Sequence, residues 1–169
     1  MFKAGVLEAV YNVMDRASEV EGLQFLACHT LRYLSSTPSG ETAAIEGGVV
    51  ERLIFTGQTC AAIDDITAVV VCSLAEMACS EAGQAKMIET EAHVLIHEIL
   101  KNSSPTQVQH RRWGCAALAF IADENEEGQA ALLEADVIGA IVACLKDHKK
   151  VPADGGVCQL AVLALDRRE

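Results

Sequence analysis

Apolar residues recur along this chain at helical spacing. Val6, Leu7, Val10, Val13 and Met14 follow the i, i+3, i+4, i+7 rhythm that places side chains on one face of a 3.6-residue helix. Leu23, Leu26, Ala27, Leu31 and Leu34 do the same on a longer segment. Ser18 and Glu21 are spaced as a capping box that would open it. Ser104 followed by Pro105 reads as the N-cap and first position of a later helix. Thr37-Pro38-Ser39-Gly40 and Lys101-Asn102-Ser103-Ser104 interrupt the pattern as turns. Strict alternation is absent, and the β-prone run Val69-Val70-Val71 lies inside a helical stretch, so the pattern predicts helices and no strand.

The helical pattern also repeats. Cys28, Cys72, Cys115 and Cys158 are 44, 43 and 43 residues apart, and Leu31, Leu74 and Leu118 are 43 and 44 apart. The pairs Ile45-Glu46, Ile88-Glu89 and Leu133-Glu134 recur at 43 and 45, and Gly5, His93 and Asp136, with Gly48 between the first two, open similar segments. These markers divide the chain into units of 5–47, 48–92, 93–135 and 136–169, each reading as a short, a medium and a longer helix. Such a unit cannot bury its apolar face alone, whereas stacked neighbours bury a continuous core. The expected fold is all-α: an α-α superhelix of about four repeats in one domain spanning 1–169, the last repeat incomplete.

The third unit, Trp113-Gly114-Cys115-Ala116-Ala117-Leu118-Ala119-Phe120-Ile121-Ala122, resembles the long third helix of the armadillo repeat, A-C-x-A-L-x-N-L-A. Leu133-Glu134-Ala135-Asp136-Val137-Ile138 is similar to that family's passage into the next repeat, and Leu23 to Leu34 match the long helix again. The second unit is looser. The resemblance covers essentially the whole chain. It implies a right-handed armadillo-like α-solenoid (an α-α superhelix) whose third helices line a concave groove that holds other proteins. In the nuclear-import members that helix carries a Trp and, four residues later, an Asn that binds the backbone of an extended basic peptide. Counted from the shared Leu, these positions fall here on His29 and Tyr33, Cys72 and Glu76, and Ala116 and Phe120. None is Trp or Asn, so the implied groove offers two aromatics, one carboxylate and one histidine. Glu76 is expected to meet a Lys or Arg of the ligand, and Arg112 and Trp113 to stand at the rim.

Composition narrows the partner. The chain has 169 residues, 24 acidic and 13 basic side chains, a net charge of −11, 51% hydrophobic residues and 4% aromatics. A non-specific nucleic-acid binder needs the opposite charge surplus, and a disordered chain lacks this apolar mass. Acidic residues exceed basic ones in the first three units, while residues 136–169 balance. The excess favours basic or amphipathic partners by steering, and it also serves solubility. The uncharged run Leu53–Ile63 falls short of the roughly 18 apolar residues a membrane span requires. Glu8 interrupts the start before a signal-peptide core can form. The expected setting is intracellular, cytoplasmic or nuclear, with seven reduced cysteines and no CxxC pair.

Other motifs are weaker. Asp123-x-Asn125-x-Glu127-Gly128 with Glu134 approaches a calcium loop, but positions five and nine depart from it. His93 and His97 share a helical face without the glutamate of HExxH. His110-Arg111-Arg112-Trp113 is a basic and aromatic cluster fit to anchor a partner. No nucleophile with a recognisable base, phosphate loop or dinucleotide fingerprint is found. The expectation is a non-catalytic binding module with no metal or cofactor. The alternative is a structural fragment or a unit that self-associates end to end, because both ends of the chain read as cut within a repeat.

Overall fold

A computed structural model describes residues 5–148, with the side chains of Leu145, Asp147 and His148 outside the description. These residues form ten helices and no strand: α1 (Val6–Arg16), α2 (Glu21–Ser35), α3 (Pro38–Glu46), α4 (Val49–Thr59), α5 (Asp64–Met77), α6 (Glu81–Glu89), α7 (Ala92–Asn102), α8 (Val108–Ala122), α9 (Glu126–Glu134) and α10 (Val137–His148). The expected third helix of the last unit, with Cys158, lies outside the described residues.

The lengths recur as 11, 15 and 9 residues in α1–α3, 11, 14 and 9 in α4–α6, and 11, 15 and 9 in α7–α9. Each 11-residue helix, and the 12-residue α10, opens after a left-handed residue. Gly5 (φ 102°), Gly48 (φ 76°), Glu91 (φ 54°) and Asp136 (φ 51°) hold that place. The third marker is therefore Glu91, with His93 already inside α7. Charged side chains at a positive φ are tolerated at single positions but carry no glycine signal, so the sequence pattern slid by two residues there.

The cap assignments move as well. Val20, not Ser18, precedes α2, and its first turn has no side-chain cap; Ser18 Oγ instead donates to Glu19. Likewise α8 starts after Gln107. Ser104 and Pro105 belong to a turn closed by Ser104 N–H donating to Gln107 Oε1 at 2.6 Å. Thr37-Pro38-Ser39-Gly40 is a helix start: Thr37 caps and Pro38 occupies the first turn. Lys101 and Asn102 close α7 rather than interrupt it.

The entry to each nine-residue helix shows a device the sequence reading missed. Thr37 Oγ1, Ser80 Oγ and Asn125 Oδ1 accept from the backbone N–H of Gly40, Gly83 and Gly128 at 3.2, 3.0 and 3.0 Å. A Cβ at these glycines would collide with the carbonyl oxygens of Leu34, Met77 and Ile121. The corner between long and short helix thus needs a cap and, three residues later, a residue without a side chain. Gln84 joins two such corners, donating to Phe120 O at 2.8 Å and accepting from Asn125 Nδ2 at 3.3 Å.

The long helices pack side by side, α2 on α5 and α5 on α8, while α4 packs on α7. Two cross-links hold α5 and α8 parallel in one register: Gln107 Nε2 donates to Asp64 Oδ1 at 2.7 Å, and His110 Nε2 lies 2.7 Å from Thr67 Oγ1. Both pairs are 43 residues apart, so the sequence period has become a packing distance. The core runs continuously through Cys28, Leu31, Leu53, Val70, Leu74, Ile96, Cys115 and Leu118. Small and branched side chains let the helices approach closely, and Gly57 and Gly114 lie directly against Leu95 and Leu100.

Candidate functional site

The six positions expected to line a groove lie on the three long helices, in rows set by four-residue steps. Phe25, His29 and Tyr33 stand on α2; Ala68, Cys72 and Glu76 on α5; Arg112, Ala116 and Phe120 on α8. On α2 the rings form a ladder. Phe25 meets His29 edge-on at 4.6 Å, and His29 stacks toward Tyr33 at 6.1 Å. Tyr33 is 67% exposed, whereas His29 and Phe120 are half-buried. Cys72 (6%) and Ala116 (1%) are covered, so neither offers an exposed side chain.

Glu76 differs from its expectation. Its carboxylate takes both Arg32 Nε, at 2.9 Å, and Arg32 Nη2. That bidentate pair spans α2 and α5 and raises the Arg32 pKa, first through its hydrogen bond to Glu76. A ligand cation would have to displace a guanidinium already seated in fork geometry. Arg32 sits one residue before Tyr33 and one period before Ala75, so its side chain reaches the next long helix beside Glu76. Sequence spacing alone did not single it out. Its guanidinium also lies 5.8 Å from the Tyr33 ring centre.

At the opposite edge Arg112 is exposed and lies 5.3 Å over the Trp113 ring. Trp113 is half-buried against the core, and its Nε1 donates to Gln109 Oε1 at 3.2 Å. No carboxylate among the described residues is paired with Arg112. The other members of the basic cluster turn inward. Arg111 is 5% exposed and donates from Nη2 to Ser103 O at 2.9 Å. His110 is 5% exposed; burial lowers its pKa, opposed by the nearby Asp64 and Asp65.

The cysteine series is interior. Cys28, Cys72, Cys115 and Cys144 are buried, and Cys79 is exposed. Burial pushes the Cys28 thiol up to about 12 and Cys72 up to about 11, against thiolate chemistry at neutral pH. The calcium-like run is a helix start: Asn125 Oδ1 is spent on the Gly128 N–H, and Glu134 ends α9. His93 is buried and His97 half-buried on α7. Among the described residues no three His, Cys, Asp or Glu side chains converge as a metal site, and no helix is long and apolar enough to cross a membrane.

A polar cleft of about 270 Å³ lies between the α4–α5 and α7–α8 corners, lined by Asp64, Thr67, Glu98, Asn102, Gln107 and His110. Its polar groups are largely committed to one another: Gln107 to Asp64, and His110 to Thr67. The chain matches no protein-family model, no curated protein and no solved structure.

Proposed function

We propose that this chain is a non-catalytic protein-interaction module. It binds a segment of another protein across the shared face of α2, α5 and α8, in the concave groove of an armadillo-like right-handed solenoid of about four repeats. The observation carrying this reading is Tyr33, 67% exposed at the end of an aromatic ladder, on a helix that buries Ala27, Cys28 and Leu31 in the core. An exposed Tyr on one edge and a guanidinium over a Trp ring on the opposite edge are the residue chemistry of interface anchors. Tyr33 and Phe120 supply apolar contact, Cys72 and Ala116 the floor, and the Arg32–Glu76 pair a polar wall. Arg112 offers an uncompensated cation at the rim, so the ligand carries an apolar or aromatic side chain for Tyr33 and a carboxylate for the opposite edge. This amends the expected basic ligand. The protein's overall charge is acidic, but the cation of the groove is Arg112, and Glu76 is already neutralised by Arg32.

The test compares affinity capture from source-cell lysate by the natural chain and by Tyr33→Ala with Arg112→Glu. Circular dichroism first establishes equal folding. Loss of specific partners with the variant supports the groove. Retention of the same partners overturns it.

A further inference from the structure

Two clefts of the molecule stand one period apart. The first, of about 440 Å³, lies between the α1–α2 corner and the second half of α4 with the turn beyond it. Its lining includes Asp15, Glu19, Glu21, Gln24, Arg52 and Phe55. The second is the cleft of about 270 Å³ at the next corner. Asp15, Glu21, Gln24 and Phe55 of the first precede Gln58, Asp64, Thr67 and Glu98 of the second by one 43-residue period. The clefts are thus equivalent in place, and their chemistry differs.

In the second cleft the chain satisfies its own polar groups. Asp64, in the first turn of α5, accepts from Gln107 Nε2, and Thr67 is bonded to His110. Neither bond has its counterpart in the first cleft. Glu21 holds the place of Asp64 in the first turn of α2, but the residue one period after it is Asp64, a carboxylate that accepts rather than donates. Gln24 is spent within its own corner, donating to Met14 O and Ala17 O at 2.7 and 3.1 Å. Glu19 and Glu21 are exposed, and no Lys or Arg among the described residues pairs with either. The cation lining the cleft, Arg52, is already held by Asp15 at 2.6 Å. Phe55 stands where the second cleft has the Glu98 carboxylate. Its ring is 57% exposed and lies 6.0 Å from the Arg52 guanidinium.

We infer that the first cleft docks a basic segment of another protein, which presents an Arg or Lys to Glu19 and Glu21 and lays its stem against Phe55. The second cleft shows what a carboxylate at this place takes, an N–H donor from a neighbouring element. Two carboxylates without a cation select a charged donor. The exposed ring adds cation–π attraction and apolar contact for the stem. An adjoining hollow of about 460 Å³ shares Asp15, Arg52 and Phe55 and adds Tyr11. The surface therefore extends beyond the reach of one side chain and suits a segment rather than a lone ion. It shares no residue with the groove positions, so the inference stands apart from the groove reading.

The probe is a fluorescein-labelled peptide of four Gly-Arg units. Fluorescence polarisation in about 150 mM salt, where distant charges are screened, measures its binding to the full chain and to three variants. Glu19→Gln with Glu21→Gln removes the carboxylates, and Phe55→Ala removes the ring. Glu127→Gln with Glu134→Gln removes the same charge from exposed places on α9. All substituted side chains are exposed, and circular dichroism verifies each fold. Saturable binding is expected to weaken about tenfold or more with the first pair and about threefold with Phe55→Ala. The α9 pair should change it by less than about twofold. No binding, equal losses in the two paired variants, or indifference to Phe55→Ala overturns the inference. Spermidine is titrated alongside as a competitor. Displacement of the peptide by spermidine at equal concentration would make a small polyamine the occupant and overturn the assignment to a protein segment.

Discussion

Helices α2 and α5 have nearly the same length and occupy the same place in consecutive periods, yet their surroundings differ. In α5, ten of the fourteen residues are buried. In α2, four of fifteen are. The difference lies in the neighbours. α5 has a long helix on each side, whereas among the described residues α2 has one on one side only. Identical apolar spacing therefore carries different energetic weight. The free energy of an apolar side chain comes from area removed from water, and that area is set by what packs against it.

The sharpest way to break this comparison is to truncate the same position in both helices. Ile66→Ala should destabilise the fold by about 2–5 kcal/mol, the range for deleting a buried branched side chain. Leu23→Ala, at the equivalent exposed place, should change stability by about 0.5 kcal/mol or less. Urea denaturation of the two variants reads the difference. Equal shifts in midpoint would mean that the α1–α2 face is covered in the native state.

Glycine provides the next contrast. Gly83→Ala sets a Cβ against the Met77 carbonyl, a rigid neighbour, and should cost about 1–3 kcal/mol through backbone displacement. Gly22→Ala, in the first turn of α2 with open space around it, should be neutral or stabilising by up to about 1 kcal/mol. Thermal melts of this pair would separate the corner from the open helix face. A tolerated Gly83→Ala would refute the steric account of the corner.

The smallest effect concerns the third member of the same series. His110 occupies on α8 the place of Leu23 and Ile66, and its pKa is lowered. The folded state thus binds the proton less readily than the unfolded chain, so stability should fall as pH drops below about 6.5 toward the lowered value. Urea midpoints between pH 7.5 and 5.5 should decline for the natural chain and decline less for His110→Gln. Parallel profiles would remove His110 as the cause.

Reading the sequence recovered the helices of this chain because apolar spacing is local and survives in any helical context. It recovered the period because Leu31, Leu74 and Leu118 hold equivalent, fully buried places, whereas Cys72 falls in the row of His29 and Ala116, one residue off the register of Cys28 and Cys115. Caps were less legible. Ser18 and Ser104 have suitable side chains but stand too far from the helix starts, while Thr37, Ser80 and Asn125 do the capping. The recurring pairs Thr37/Gly40, Ser80/Gly83 and Asn125/Gly128 were a readable signal that the apolar pattern overshadowed. The groove positions could be counted from Leu31, Leu74 and Leu118, but counting could not reveal that Arg32 would claim Glu76.

The amino-acid sequence by itself determined that this protein is all-helical over its described residues and where its helices recur, because periodicity and turn chemistry act over a few residues. Only the tertiary structure decided which equivalent residues are core and which are surface. Leu23, Ile66 and His110 share a register position, but one faces solvent, one a packed helix and one the Thr67 hydroxyl. Burial and pairing depend on residues about forty positions away, and no local pattern contains them.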